Sequence, residues 1–171
     1  MNAFELMKQQ QQDAITSFRG EFMVLSNFSR TPFVVNGTAW PTSEHFFQAN
    51  KTLNLLHCKE IRDASTPGIA KKMGSPRGYK GFKITLRENW ELIRIPVMEF
   101  VVKEKFVQNV KALEILMSTE GHLLIEGNTW HDNFWGACNC ARCRGKLKEN
   151  TLGKLLVEVR QELMDKELKG E

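Results

Sequence analysis

Apolar positions recur along this chain with two different periods, and the period marks the element. Leu152, Leu155, Leu156, Val159 and Leu163 fall three and four residues apart, which predicts one buried stripe of a C-terminal helix begun at Asn150. Met98, Val101, Val102 and Phe106 make a second such stripe inside a helical stretch from Leu86 to Phe106, where Pro96 should divide or kink the helix. Val110, Leu113 and Met117 continue the helical pattern until Glu120-Gly121. The shorter period appears at Ile15-Thr16-Ser17-Phe18, which alternates like a short strand, while His122 to Glu126 reads as a short buried strand. Phe33-Val34-Val35 and Thr38-Ala39-Trp40 flank Asn36-Gly37, two residues that tolerate positive φ, and so predict a β-hairpin.

That hairpin leads into Trp40-Pro41-Thr42-Ser43-Glu44-His45-Phe46-Phe47-Gln48-Ala49. Thr42 or Ser43 can cap free N–H groups, and Glu44 sits where a helix dipole favours an acid. Phe46, Ala49 and Leu53 share one face; Glu44, Gln48 and Lys51 share another. One face can enter a core while the other offers a carboxylate, an amide and an amine to a cleft. A helix capped for stability alone carries the same pattern. A short helical piece is expected after His57-Cys58. Thr66-Pro67 opens a further helix, with Gly74 at its C-terminal end and Ser75-Pro76-Arg77-Gly78 as a turn. Leu25 to Ser29 reads as a polar loop with Phe28 as its aromatic anchor.

A chain of 171 residues with 42% hydrophobic and 26% charged positions fits one soluble domain. The expected fold is α+β, a single helix-rich domain over residues 15–171 with a small N-terminal hairpin, preceded by a polar segment at 1–14 containing Gln9 to Gln12. No apolar run is long enough for a membrane span and no signal-peptide core is evident, so a cytoplasmic protein without membrane partners is expected. The net charge of +4 is mild. Its clusters at Lys71-Lys72, Arg77 to Lys83 and Arg142 to Lys148 suit a solvated surface or an anionic small molecule better than stable binding to bulk nucleic acid.

From Thr129 to Glu149 the periodicity breaks into a long polar, aromatic and cysteine-bearing loop. Trp130 and Trp135 flank Asp132 there: the aromatic rings either stack on a planar base beside a carboxylate or anchor the loop to the core. Cys138, Cys140 and Cys143 lie within six residues, with His57, Cys58 or His131 available as a fourth zinc ligand. Structural zinc sites usually draw two separated ligand pairs, so free thiols in a reducing compartment, with no metal, are expected. No Gly-x-Ser-x-Gly elbow, phosphate loop or dinucleotide fingerprint occurs.

Taken together, Phe18-Arg19-Gly20, Leu25 to Phe28, Trp40 to Ala49, Asp132-Asn133-Phe134-Trp135-Gly136 and Asn150 to Arg160 make the chain resemble the YbiA-like family, also called the NADAR family. The resemblance spans about residues 17–163 in the family's order. It implies an N-glycosidase that hydrolyses a ribosyl C1′–N bond, in a phosphorylated ribosylamino-pyrimidine of riboflavin biosynthesis or in ADP-ribosylated guanine. It implies Glu44 and Asp132 as the catalytic acids and Arg19, Asn27, Trp90 and Trp135 as pocket residues, with Gln48 and Lys51 beside them on the helix. Ser75 stands where the family pattern has Arg, leaving Arg77 or Lys72 to replace that phosphate contact.

The implied reaction builds positive charge on ribose as the base leaves. Glu44, at a helix N-terminus, is expected to be ionised and to stabilise the cation and orient water. Asp132, among aromatic rings, is expected to assist the leaving group, with Trp135 or Trp90 stacking on the base and Arg19 with Lys51 or Lys72 receiving phosphate. The scheme needs no cofactor and leaves the oligomeric state open. Two other readings fit less of the pattern: a module that binds ADP-ribose or a nucleotide without cutting it, and a zinc-bearing nucleic-acid binder built on the cysteine loop.

Overall fold

Thr42, Asn54 and Thr66 each begin a helix by accepting backbone N–H groups on a side-chain oxygen, and these three starts organise the middle of the chain. The computed structural model describes residues 14–169; the expected polar N-terminal segment, up to residue 13, lies outside them. The described chain forms two units, one of residues 27–112 and one of residues 14–26 with 113–169.

In the first unit, β2 (Phe33–Val35) and β3 (Thr38–Trp40) pair antiparallel through Asn36 and Gly37, both at positive φ, as the hairpin motif predicts. Helix α1 (Ser43–Ala49) follows. Around it pack α2 (Leu55–Arg62), α3 (Pro67–Met73) and α4 (Trp90–Val107). All seven residues of α1 are buried, so it has no open polar face; the helix ends at Ala49, and Leu53 is 71% exposed rather than part of its stripe. Phe46 meets Phe33, Trp40 and Phe100 with ring centroids 6.1, 5.0 and 5.8 Å apart. Ala49, Ile61, Ala70 and Met73 form the neighbouring apolar core.

His45 fixes the entry of α1. Its Nε2 faces the Ala64 carbonyl at 3.0 Å, an acceptor only, so Nε2 carries the proton and Nδ1 accepts the Thr42 hydroxyl at 2.7 Å. The Thr42 oxygen in turn accepts the His45 N–H. Burial lowers the His45 pKa, the Ala64 hydrogen bond opposes that, and Arg30 adds to it.

Three expectations change in this unit. Helix α2 begins at Leu55, before His57, because Asn54 caps it. Helix α4 starts only at Trp90 and runs through Pro96 without division. Pro96 and Leu92, the residue whose carbonyl it leaves unpaired, are both on the exposed side, where water can take that bond. Phe28 is 39% exposed under the Lys71 ammonium, and the buried anchor of its segment is Leu25.

The boundary to the second unit falls inside α5 (Val110–Met117), whose buried positions are Ala112 and Leu116, whereas Val110 is exposed. In the second unit β1 (Ala14–Ile15) pairs parallel with β4 (Leu123–Leu124); β1 shares only Ile15 with the expected strand, and β4 is shorter than expected and buries Leu124 but not Leu123. β5 (Gly127–Asn128), just before the stretch read as irregular, pairs parallel with β6 (Ala137–Cys138) inside it. Residues Gly20–Leu25 and Ala141–Cys143 are short 3₁₀ turns. Helix α6 (Thr151–Lys169) buries Leu152, Leu155, Leu156, Val159 and Leu163, the full predicted stripe. It approaches β4 so closely that a Cβ on Gly153 would overlap the Leu124 carbonyl. Asn150 does more than start this helix: its amide accepts the Glu126 N–H and donates to the Leu124 carbonyl. Among the described residues no helix is long and apolar enough to cross a membrane.

Candidate active site

Glu44 occupies the first turn of α1 and is 5% exposed. Its N–H donates to the Asn27 carbonyl at 3.0 Å, which ties the Leu25–Phe28 segment to the helix start. One turn on, the Gln48 amide nitrogen donates to Glu44 Oε1 at 2.7 Å and fixes the carboxylate's orientation. Gln48 itself rests against Gly74. A Cβ there would overlap Gln48 Oε1, so Gly74, at an ordinary φ of −80°, is required for space rather than for a left-handed turn.

Lys51 lies just beyond the helix. Its ammonium donates to the Gly74 carbonyl at 3.2 Å and sits 5.6 and 5.8 Å from the ring centroids of Phe47 and Trp90, which meet at 5.0 Å. Burial lowers the Lys51 pKa; Glu44 pulls it back up, Lys71 pushes it down and Glu91 raises it. Trp90 is 4% exposed. Asn27 donates from Nδ2 to Met98 Sδ at 3.1 Å.

Three buried polar atoms here have no hydrogen-bond partner among the described residues: Asn27 Oδ1, Ser43 Oγ and Gln48 Oε1. Each costs free energy unless a water or a polar ligand meets it. The burial of Ser43 and the packing role of Gly74 were not legible in the sequence, since both depend on neighbours distant along the chain. A cleft of about 620 Å³ lined by Thr52, Asn54, Arg87, Glu88 and Asn89 lies past the end of α1 and includes none of the expected site residues. The buried acid with unmet polar atoms around it is the stronger chemical signal. Ser75 uses its hydroxyl on the Lys72 carbonyl at 2.8 Å, closing α3, and the Lys72 ammonium lies 5.6 Å from the centre of the Tyr79 ring.

Asp132, Trp135 and Arg19 belong to the other unit. There the loop after β5 is built by short polar side chains. Asn128 Oδ1 accepts the N–H groups of Trp130 and Asp132, and its Nδ2 donates to the Asp132 carbonyl at 2.7 Å. Asp132 Oδ1 accepts the N–H groups of Phe134 and Trp135 at 3.2 and 2.9 Å. Phe134 and Trp135 stack edge to face at 4.9 Å. Their carbonyls accept the Thr151 and Leu152 N–H groups, so the loop backbone satisfies two of the orphan donors of α6. Arg19 is exposed at the start of the Gly20–Leu25 turn, where Gly20 takes a φ of +57°.

The same loop gathers the cysteines. All four in the chain are free thiols, and Cys58 donates to the Ala49 carbonyl. Burial pushes the Cys138 thiol up, but N–H groups of Cys140 and His131 aimed at its sulfur, with the thiols of Cys140 and Cys143, bring it down to about 7. Burial raises Cys143, Asn133 lowers it, and the neighbouring thiols raise it further.

Comparison with known proteins sets these two regions in a family. The family model described as NADAR domain matches residues 11–164. N-glycosidase YbiA of Escherichia coli (strain K12) is 37% identical over 155 residues, covering 89% of this chain and 90% of that protein. The NMR structure of the E. coli protein YbiA superposes with a TM-score of 0.75 at 36% identity, over 91% of this chain and 88% of that one. Riboflavin biosynthesis protein VVA0006 of Vibrio vulnificus is 33% identical over 141 residues, 82% of this chain but 35% of that longer protein.

Proposed function

The chain belongs to the NADAR domain family and is a hydrolase of N-glycosyl bonds, and from that premise we propose that it cuts the ribosyl C1′–N bond of a phosphorylated ribosylamino-pyrimidine of riboflavin biosynthesis, in the cytoplasm. The observation that carries this reading is the buried Glu44 carboxylate, oriented by Gln48 beside polar atoms that await a ligand. The name of the Vibrio relative favours the riboflavin intermediate over an ADP-ribosylated base.

In this scheme the C1′–N bond breaks with its electron pair going to nitrogen, and the ribose carries oxocarbenium character. Glu44 faces that charge and takes a proton from the attacking water, whose oxygen bonds to C1′. Asp132 hydrogen-bonds the departing nitrogen, which takes up one proton from solvent, and Glu44 afterwards returns the water's proton to solvent; free amine and ribose phosphate result. The Gln48 hydrogen bond suits an acceptor carboxylate in the role given to Glu44. Asn27 and Gln48 offer acceptors to sugar hydroxyls, Trp90 and Trp135 offer apolar faces, and Lys51 with Arg19 meets phosphate. No step draws on a metal or organic cofactor.

A side-by-side turnover assay on the ribosylamino-pyrimidine phosphate and on ADP-ribosylated guanine, with Glu44→Ala as control, tests the reading. Release of ribose phosphate from the first substrate alone, abolished in the variant, is the expected result. Preference for the second substrate would transfer the activity to ADP-ribosylated bases. Binding of either without cleavage would leave a non-catalytic nucleotide module.

A further inference from the structure

Beyond the hydrolytic site, four side chains converge within the second unit. His131 Nδ1 and the sulfurs of Cys138, Cys140 and Cys143 all lie within 4.8 Å of one another. His131 Nδ1 is 3.2 Å from Cys140 Sγ and 3.5 Å from Cys143 Sγ. A tetrahedral zinc ion with bonds of about 2.3 Å to sulfur and about 2.0–2.1 Å to nitrogen sets its ligands about 3.8 Å apart between sulfurs and about 3.5 Å between sulfur and nitrogen. The two His131 separations already sit at or just inside these values, and the remaining pairs, at 4.8 Å or less, need a shift of at most about 1 Å to enclose one.

The backbone is built to deliver them. Cys138 is fixed on β6, where its N–H donates to Asn133 Oδ1 at 3.0 Å and the next residue's N–H donates to the Asn128 carbonyl. Cys140 and Cys143 flank one 3₁₀ turn, closed by the Cys143 N–H on the Cys140 carbonyl. The fourth donor comes from His131 at a φ of +69°, a left-handed conformation that a non-glycine residue adopts at a cost. Cys138 and Cys143 are both buried, so the cluster has a dry inner side. Three thiolates and a neutral imidazole around a divalent ion leave one net negative charge, beside which Arg142 and Arg144 flank Cys143 in sequence.

We propose that His131, Cys138, Cys140 and Cys143 form a closed, tetrahedral zinc site that clamps the loop carrying Asp132 and Trp135. Three sulfurs and one imidazole are the donor set of a structural zinc ion. With four protein ligands the ion has no position left for water, so it takes no part in bond cleavage. The expectation of two separated ligand pairs misleads because the fourth ligand is seven residues upstream of Cys138 and is returned to it by the β5–β6 pairing.

The test is metal analysis of the full chain, produced with zinc in the medium and purified under reductant without chelator. About one zinc per chain is expected, falling below about 0.2 in Cys140→Ser and unchanged in Cys58→Ser. Cobalt loading of the wild-type chain avoids reliance on variants that fold poorly: intense visible d–d bands with thiolate-to-cobalt charge transfer are expected of a tetrahedral sulfur-rich site. Removing the metal should lower Tm by on the order of 5–10 °C. Wild-type protein with under about 0.2 zinc after reconstitution, weak octahedral cobalt bands, or a disulfide among these cysteines under reductant would overturn the site. None of these readouts depends on the substrate, so they stand apart from the hydrolase assay.

Discussion

Helix α1 and the Asn128–Gly136 loop each present an acid, yet they hold it by opposite means. Glu44 rides on a helix whose seven residues are all buried and whose order comes from aromatic and aliphatic packing. Its carboxylate accepts from the Gln48 amide within that packed frame. Asp132 is part of the frame: its Oδ1 holds two backbone N–H groups, and Asn128 holds two more and a carbonyl. The acid is therefore an addition to the fold at Glu44 and part of it at Asp132.

The sharpest way to break this contrast is at Glu44. Glu44→Gln keeps the acceptor for Gln48 and should leave Tm within a few degrees while turnover falls at least about 10³-fold, roughly 4 kcal/mol of barrier. Steady-state kinetics beside a melting curve decides it; turnover within tenfold of wild type would remove Glu44 from the chemistry.

Next in size is Gly74→Ala. The new methyl displaces Gln48, and through it the carboxylate, so turnover should drop about 10- to 100-fold with a packing loss of about 1–3 kcal/mol. Unchanged kinetics would show that Gln48 does not orient Glu44.

At Asp132 the expected signature is a split. Asp132→Ala leaves the Phe134 and Trp135 N–H groups unmet and should cost about 1–3 kcal/mol in denaturant unfolding. Asp132→Asn keeps an oxygen acceptor and should cost less than half as much, while both lose activity. Equal unfolding free energies for the two would show that the loop does not lean on this side chain.

The smallest effect concerns pH. The folded-state pKa of His45 lies below its ordinary value of 6.5, so the folded state favours the neutral ring. Its contribution to stability is complete above that value and is lost as pH falls from there toward the folded pKa. Stability measured at pH 7.5 and pH 5 should show this decline. His45→Asn, which has no titrating ring, should flatten it, and an unaltered slope would shift the effect to other groups.

What the sequence makes legible is what is local. The Asn36-Gly37 hairpin, the Thr42 cap, the Thr66-Pro67 start and the α6 stripe all follow from spacings under one or two turns. Of the two outcomes expected at Pro96, division does not occur, because a helix with a water-facing side tolerates the lost bond there. That every residue of α1 is buried was not legible, because its surroundings, not its own pattern, decide how far each face is covered. For the site, the i, i+4 pairing of Glu44 with Gln48 was visible, but the Asn27 carbonyl on the Glu44 N–H was not. Nor could spacing alone choose His131 over His57 as the partner of the three cysteines.

The link between the loop carbonyls and the start of α6 has a use of its own. First-turn amides of a helix ordinarily exchange with solvent quickly, for want of a partner. Those of Thr151 and Leu152 are bonded to Phe134 and Trp135 at 2.9 and 3.0 Å. Their deuterium uptake is thus a built-in gauge of whether the aromatic loop is seated, legible in the resting protein before any substrate is offered.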